Sequence, residues 1–142
     1  MGGVLRLWAI PQSDISISGN QVTILSDSNL VNIYFQEDSA SFSEEMTTSF
    51  AGTAYKVELL AIVPCDTSET LIQISDMERR CKYLVIYRDG NGNYKLAGTK
   101  SVPLRFSAKA TTGSETSGLN HYSISFTGSL RKRAVFIDNP FL

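Results

Sequence analysis

Between Thr53 and Val63 every second residue is large and apolar or aromatic except Ala61: Tyr55, Val57, Leu59, Ala61 and Val63 share one face of an extended chain. The same period of two returns along most of the sequence. Val4–Ile10 reads as a first strand. Residues 14–25 read as a hairpin, with Ile15-Ser-Ile-Ser18 and Val22-Thr-Ile24 alternating around Gly19-Asn20. Leu30–Phe35, the dense apolar run Tyr83–Tyr87, Tyr94–Thr99, Val102–Thr111, His121–Thr127 and Ala134–Ile137 complete a set of about nine strands. A chain patterned this way has to bury sheet faces against each other. The expected fold is mainly β, a β-sandwich or partly closed barrel.

One segment carries helical spacing instead. Leu71, Ile74, Met77/Glu78 and Cys81 recur at three and four residues. Asp66 and Glu69 stand as a capping box, and Arg79, Arg80 and Lys82 fall where cations suit the dipole. A single flanking helix is expected over residues 67–81. Residues 36–52 fit neither period, being polar and holding four acids, no base, and Phe42, Met46 and Phe50. They are expected to form a long acidic loop, of the kind that usually serves function. Residues 112–120, rich in Gly, Ser and Thr, are expected to be a mobile loop.

The 142 residues suit one domain, 1–142. At 42% hydrophobic and 19% charged residues, the composition is that of a chain with a real core. No apolar stretch is long enough for a spanning helix, and the first ten residues read as structure rather than as a secretory or myristoylation signal. Two cysteines, Cys65 and Cys81, lack metal-type spacing. They read as reduced thiols of a cytosolic protein, with a bridge across the helix as the alternative.

Catalytic constellations are sparse. The one histidine, His121, opens a strand and has no second histidine to work with; no nucleophile elbow, phosphate loop or dinucleotide fingerprint occurs. Catalytic, cofactor-binding and metal residues are therefore expected to be none. Asp89-Gly-Asn-Gly-Asn93 begins like a calcium loop, but Tyr94 and Lys100 stand where Gly and Glu belong, so a hairpin turn explains it better.

A net charge of −1 hides a division. Residues 1–78 carry 11 acids against two bases, a net −9, while residues 79–142 carry 11 bases against three acids, a net +8. Pairing inside the chain is the simplest outlet. The acids nevertheless concentrate at Glu37, Asp38, Glu44 and Glu45. The bases concentrate at Arg79 and Arg80 and at Arg131, Lys132 and Arg133, the last three expected at a hairpin tip. If these groups lie on opposite sides, one copy's acidic side faces the next copy's basic side, and such a head-to-tail contact closes into a ring or extends as a tube. Phe42, Met46 and Phe50 supply apolar anchors for that contact. The same bases are a second-tier candidate for DNA.

The order of elements, with Leu84-Val-Ile-Tyr-Arg-Asp-Gly-Asn-Gly-Asn-Tyr-Lys-Leu-Ala-Gly-Thr99, then Pro103-Leu-Arg-Phe106, Thr112-Gly113 and the strand Ser123–Phe126, resembles small structural proteins of the neck, tail rings and tail tube of tailed bacteriophages. The resemblance spans roughly residues 53–137. It implies a non-enzymatic virion protein made in the host bacterial cytoplasm, packed as a ring around a lumen. Its partners would be copies of itself and neighbouring virion proteins, with transient DNA contact in the lumen and no membrane. A tail-tube protein has a long hairpin where residues 36–52 lack strand alternation, a departure that leaves tube, neck ring and terminator open. The alternative is a monomeric β-sandwich module that binds carbohydrate or protein through loops and exposed rings among Trp8, Tyr34, Tyr55, Tyr87, Tyr94 and Tyr122.

Overall fold

The strand Lys82–Asp89 (β7) organises the molecule, because Tyr83, Leu84, Val85, Ile86 and Tyr87 are all buried although successive side chains point to opposite faces. A strand apolar on both faces needs cover on both. The structure, a computed structural model, describes residues 4–18, 21–25, 30–33, 35, 40–50, 52–63, 68–100, 102–111 and 121–140. Among them the other strands are Val4–Ile10 (β1), Ile15–Ser18 (β2), Gln21–Ile24 (β3), Val31–Asn32 (β4), Ser41–Ser49 (β5), Gly52–Val63 (β6), Tyr94–Ala97 (β8), Leu104–Thr111 (β9), His121–Leu130 (β10) and Val135–Ile137 (β11), with one α-helix, Ser68–Arg80 (α1).

Nine strands form one antiparallel sheet that forks at β7. Along one edge β7 pairs β8, which carries β11. Along the other, Lys82 and Tyr83 pair β9 and the residues from Leu84 onward pair β1. One branch is then β7-β9-β10-β6-β5 and the other is β11-β8-β7-β1-β4. The branches face one another across the larger core, where Leu7, Ala9, Val85 and Tyr87 meet Val57, Leu59, Leu104, Ile124 and Phe126. Tyr83, Phe106 and Phe126 form a three-ring cluster with centroids 5.2–6.4 Å apart at the fork. Such pairs add about 0.5–1.5 kcal/mol each beyond area burial. Behind β7 a smaller core of Ile10, Leu84, Ile86 and Leu96 is roofed by the β2–β3 hairpin through Ile15 and Val22. The result is mainly β with one flanking helix, as the alternation predicts, and of the two architectures left open it is a sandwich, open at its edge strands, and not a closed barrel.

Helix α1 contributes only Ile74 and Met77 to the core; Leu71, expected on the buried stripe, is 51% exposed beside Ile72. The helix stops at Cys81, whose amide donates to the Met77 carbonyl while its own carbonyl accepts from Phe106 N–H at 2.7 Å. Cys81 sits at φ +53, the left-handed position that usually goes to glycine, and takes no part in a disulfide. Asp66 and Cys65 lie outside the described residues, as does the expected mobile loop 112–120.

Two expectations are corrected. Residues 41–49 are not part of an irregular loop: they form β5, the edge strand of one branch. Polar residues at alternate positions hide the period, and pairing with the strongly patterned β6 imposes it. Segment 131–133 is not a hairpin tip either, since both edges of β10 are already taken by β6 and β9 and the chain must cross to β8 before β11 can pair. The turn at Asp89–Asn93 is a hairpin turn as expected. Asp89 Oδ1 accepts the amides of Asn91 and Asn93 at 2.9 and 3.0 Å.

Two substitutions test this packing. Gly128 lies on the inner face of β10, where an added Cβ would stand 2.8 Å from Leu104 Cδ2, itself fully buried. Gly128→Ala is expected to cost about 1–3 kcal/mol in chemical denaturation. Cys81→Gly relieves about 1–2 kcal/mol of left-handed strain against about 0.4–1 kcal/mol of added unfolded-state entropy. A net gain of about 0.5–1 kcal/mol, read as a higher denaturation midpoint, is expected.

Candidate functional site

The β5–β6 hairpin is the part of the fold that reaches beyond it. Register runs unbroken from Ser41↔Leu60 to Ser49↔Gly52, whereas β10 follows β6 only as far as Tyr55, opposite Leu130. The last three pairs, Thr47–Ser49 with Gly52–Ala54, therefore extend past the sheet by about 10 Å at roughly 3.3 Å per residue. Gly52, at φ +115, supplies a backbone turn that other residues resist. At the tip Phe50 is 113% exposed, more than in an open reference chain, and Met46 is 56% exposed on the strand below it.

The base of the hairpin is held at three points on its inner face. Phe42 packs on Tyr87 at 4.7 Å between ring centroids, bringing the far strand of one branch back onto the fork strand. Glu44 Oε2 accepts the Ala134 amide at 3.0 Å. Arg133 lies 4.7 Å over the Tyr55 ring. Part of the acidic and basic halves thus meets within the chain: of the expected interface residues, Phe42, Glu44 and Arg133 are engaged internally, while Arg131 and Lys132 are exposed on the crossover. Glu45, Met46 and Phe50 remain exposed, and Glu37 and Asp38 lie outside the described residues.

Further charges lie along the outer face of the β7-β9-β10-β6-β5 branch. One row of directly opposed residues reads Lys82, Arg105, Thr127, Glu58, Ser43, from the fork to the edge. Four strand spacings separate its ends, about 19 Å. The row is basic beside α1, at Lys82 and Arg105, and acidic at Glu58 next to β5; two residues along the same face the register sets Lys56 across from Glu45.

Arg79 and Arg80 border a cleft of about 390 Å³ at the fork, between α1 and β4. Leu30, Val31 and Met77 supply apolar walls and Tyr83 its floor. Arg79 is held by Asp76 at 2.9 Å, with both side chains exposed. Arg80 makes no ion pair with a described residue. The sequence offered no signal for this cleft, since Leu30 and Val31 read there only as strand.

Other chemistry is thin here. Among the described residues no three of His, Cys, Asp and Glu are placed to hold a metal ion, and no helix is long and apolar enough to cross a membrane. His121 opens β10 opposite Thr111. The rings that suggested a glycan platform are committed to packing: Trp8 stacks on Tyr94 at 6.0 Å against the smaller core, Tyr87 and Tyr122 are buried, and Tyr55 lies under Arg133. Tyr34 lies outside the described residues. Comparison with protein-family models, with curated proteins and with solved structures finds no match.

Two measurements test the hairpin's anchoring. Glu44→Ala removes the charged acceptor of the Ala134 amide, and a loss of about 1–2 kcal/mol with faster hydrogen exchange at Ala134 is expected. The Tyr87 hydroxyl is pushed well above its ordinary value of 10.0 by burial, and further by the nearby carboxylates of Glu44 and Asp89. Burial also raises Tyr83, against the opposing pull of Arg80. A raised pKa means that the folded chain keeps its proton when the unfolded chain begins to lose it. Stability is thus unaffected by these groups below about pH 10 and declines above it. Thermal melts across that range should show the decline, and Tyr87→Phe should flatten it.

Proposed function

We propose that the chain is a non-enzymatic structural subunit of a tailed-phage virion, in the neck or tail, that assembles head-to-tail into a ring or tube. The observation that carries this reading is the protruding β5–β6 hairpin, anchored at its base and presenting Phe50 wholly to solvent. Burying such a ring against a neighbour returns about 1.5–3 kcal/mol, and a fixed arm loses little entropy on docking. The hairpin also supplies the long β-arm whose absence from the sequence pattern set this chain apart from tail-tube proteins. Placement of acids beside β5 and bases beside the fork further supports a contact between unlike faces, which closes as a ring or continues as a tube.

On this reading the partners are copies of the chain and the virion proteins above and below, with only transient contact to DNA in a lumen. The chain is made in the host cytoplasm and resides in the virion. A monomeric glycan- or protein-binding module is the competing assignment, and the packed rings lend it little.

Sedimentation velocity and negative-stain microscopy test the proposal on the full chain and on a variant in which residues 47–54 are replaced by Asn-Gly, which closes Met46 onto Tyr55 in register. Wild type is expected as rings or tubes, and the shortened chain as a folded monomer with an unchanged melting temperature. A wild-type chain that stays strictly monomeric in concentrated solution overturns the assignment. So does a gene found away from portal, capsid and tail genes.

A further inference from the structure

We infer that the hairpin tip of one copy inserts Phe50 into the cleft between α1 and β4 of the next, an inference that rests on the head-to-tail reading above and names its two surfaces. The match starts from size. The cleft measures about 390 Å³, with Leu30, Val31, Met77 and Tyr83 as its apolar lining and Gln73, Asp76, Arg79 and Arg80 as its polar lining. That is room for one phenyl group with the turn that carries it. Phe50 is the most exposed large apolar side chain among the described residues. It sits on a two-strand arm that holds it clear of its own sheet.

The two surfaces cannot satisfy each other within one copy. Ser43 ends the row that starts at Lys82 beside the cleft, and Phe50 stands seven residues further along the hairpin, about 23 Å at roughly 3.3 Å per residue, past the end of β10 and wholly in solvent. The contact is therefore between copies and heterologous, tip to cleft, leaving a free tip and a free cleft at the ends of every open chain.

Charge supports the same orientation. Arg80, with Lys82 and Arg105 beside it at the fork, faces the approaching hairpin. The outer side of that hairpin carries Glu45 and Glu58 against the single base Lys56, a net negative face. Glu44 is not available to a neighbour, because it is spent on Ala134 N–H. Arg79 is partly neutralised by Asp76, which leaves Arg80 as the cleft's principal charge. A second hairpin docked side by side on β5 is disfavoured, since antiparallel pairing of Ser41–Ser49 with itself places Glu45 opposite Glu45 of the other copy.

A mixing experiment reads this arrangement directly. Phe50→Asp disables the tip but leaves the cleft, and Arg79→Ala with Arg80→Ala weakens the cleft but leaves the tip; all three positions are exposed, so Phe50→Asp should melt like wild type and the double variant only slightly below it, through loss of the Arg79–Asp76 pair. Each alone is expected to be monomeric, with association weakened more than tenfold. Mixed in equal amounts, they should form a heterodimer and stop, because only one intact tip and one intact cleft can meet. Benzophenone-alanine placed at position 50 should crosslink wild-type assemblies to peptides containing Leu30–Val31 or Met77. If wild type assembles but the mixture stays monomeric, if either variant assembles normally, or if the crosslink maps elsewhere, the tip-to-cleft contact is wrong while self-assembly stands. If wild type does not self-associate at all, both readings fall together.

Discussion

Burial of β7 on both faces is the constraint from which the architecture follows. Tyr83, Val85 and Tyr87 need one apolar layer and Leu84 and Ile86 another. No single flat sheet supplies both. Forking at Lys82–Tyr83 resolves the demand by sending β9 to one branch and β1 to the other, so that the branches turn toward each other over the odd-numbered face. The β2–β3 hairpin then roofs the even-numbered face. Close approach at the fork is permitted by the missing side chain at Gly128, which leaves room for Leu104 beside the Tyr83–Phe106–Phe126 rings.

The hairpin inherits its position from that fork. Because the branch curls, its last strand returns to the strand that started it, and Phe42 meets Tyr87. The crossover from β10 to β11 passes the same place, which gives Glu44 a backbone amide and Tyr55 a guanidinium. Core packing thus fixes the base of an arm whose tip does nothing for the core. The cleft at the other end arises because α1 leans on the sandwich through Ile74 and Met77 alone, leaving space beside β4. Both surfaces proposed for assembly are by-products of how one strand is covered.

Much of this is legible residue by residue. The alternation in β6, the buried run in β7, the Asp89 turn and a helix within 67–81 follow from local spacing and turn chemistry, and most strands other than β5 stand where the period of two places them. The segment at 41–49 is missed for a physical reason. An edge strand with one half-buried side needs few apolar residues, and Phe42, Glu44 and Met46 mark the inward face only once β6 sets the register. Arg131–Arg133 is misread because a base-rich break between two alternating runs looks the same whether the chain turns back or crosses over. Of the proposed interface residues, Glu45, Met46, Phe50, Arg79 and Arg80 keep the exposure a contact needs, while Glu44 and Arg133 turn out to be used at home.

That the chain is mainly β with one helix, and that its acids and bases lie in opposite halves, is already written in side-chain period and composition, because these are local properties. Long-range pairing settles what those charges meet, a backbone amide for Glu44 and an aromatic ring for Arg133. Glu44 and Ala134 are 90 residues apart along the chain, and only the fork at β7 brings them together. The same long-range pairing sets Phe50 apart from every other large apolar side chain among the described residues, since exposure is a property of what the rest of the chain fails to cover.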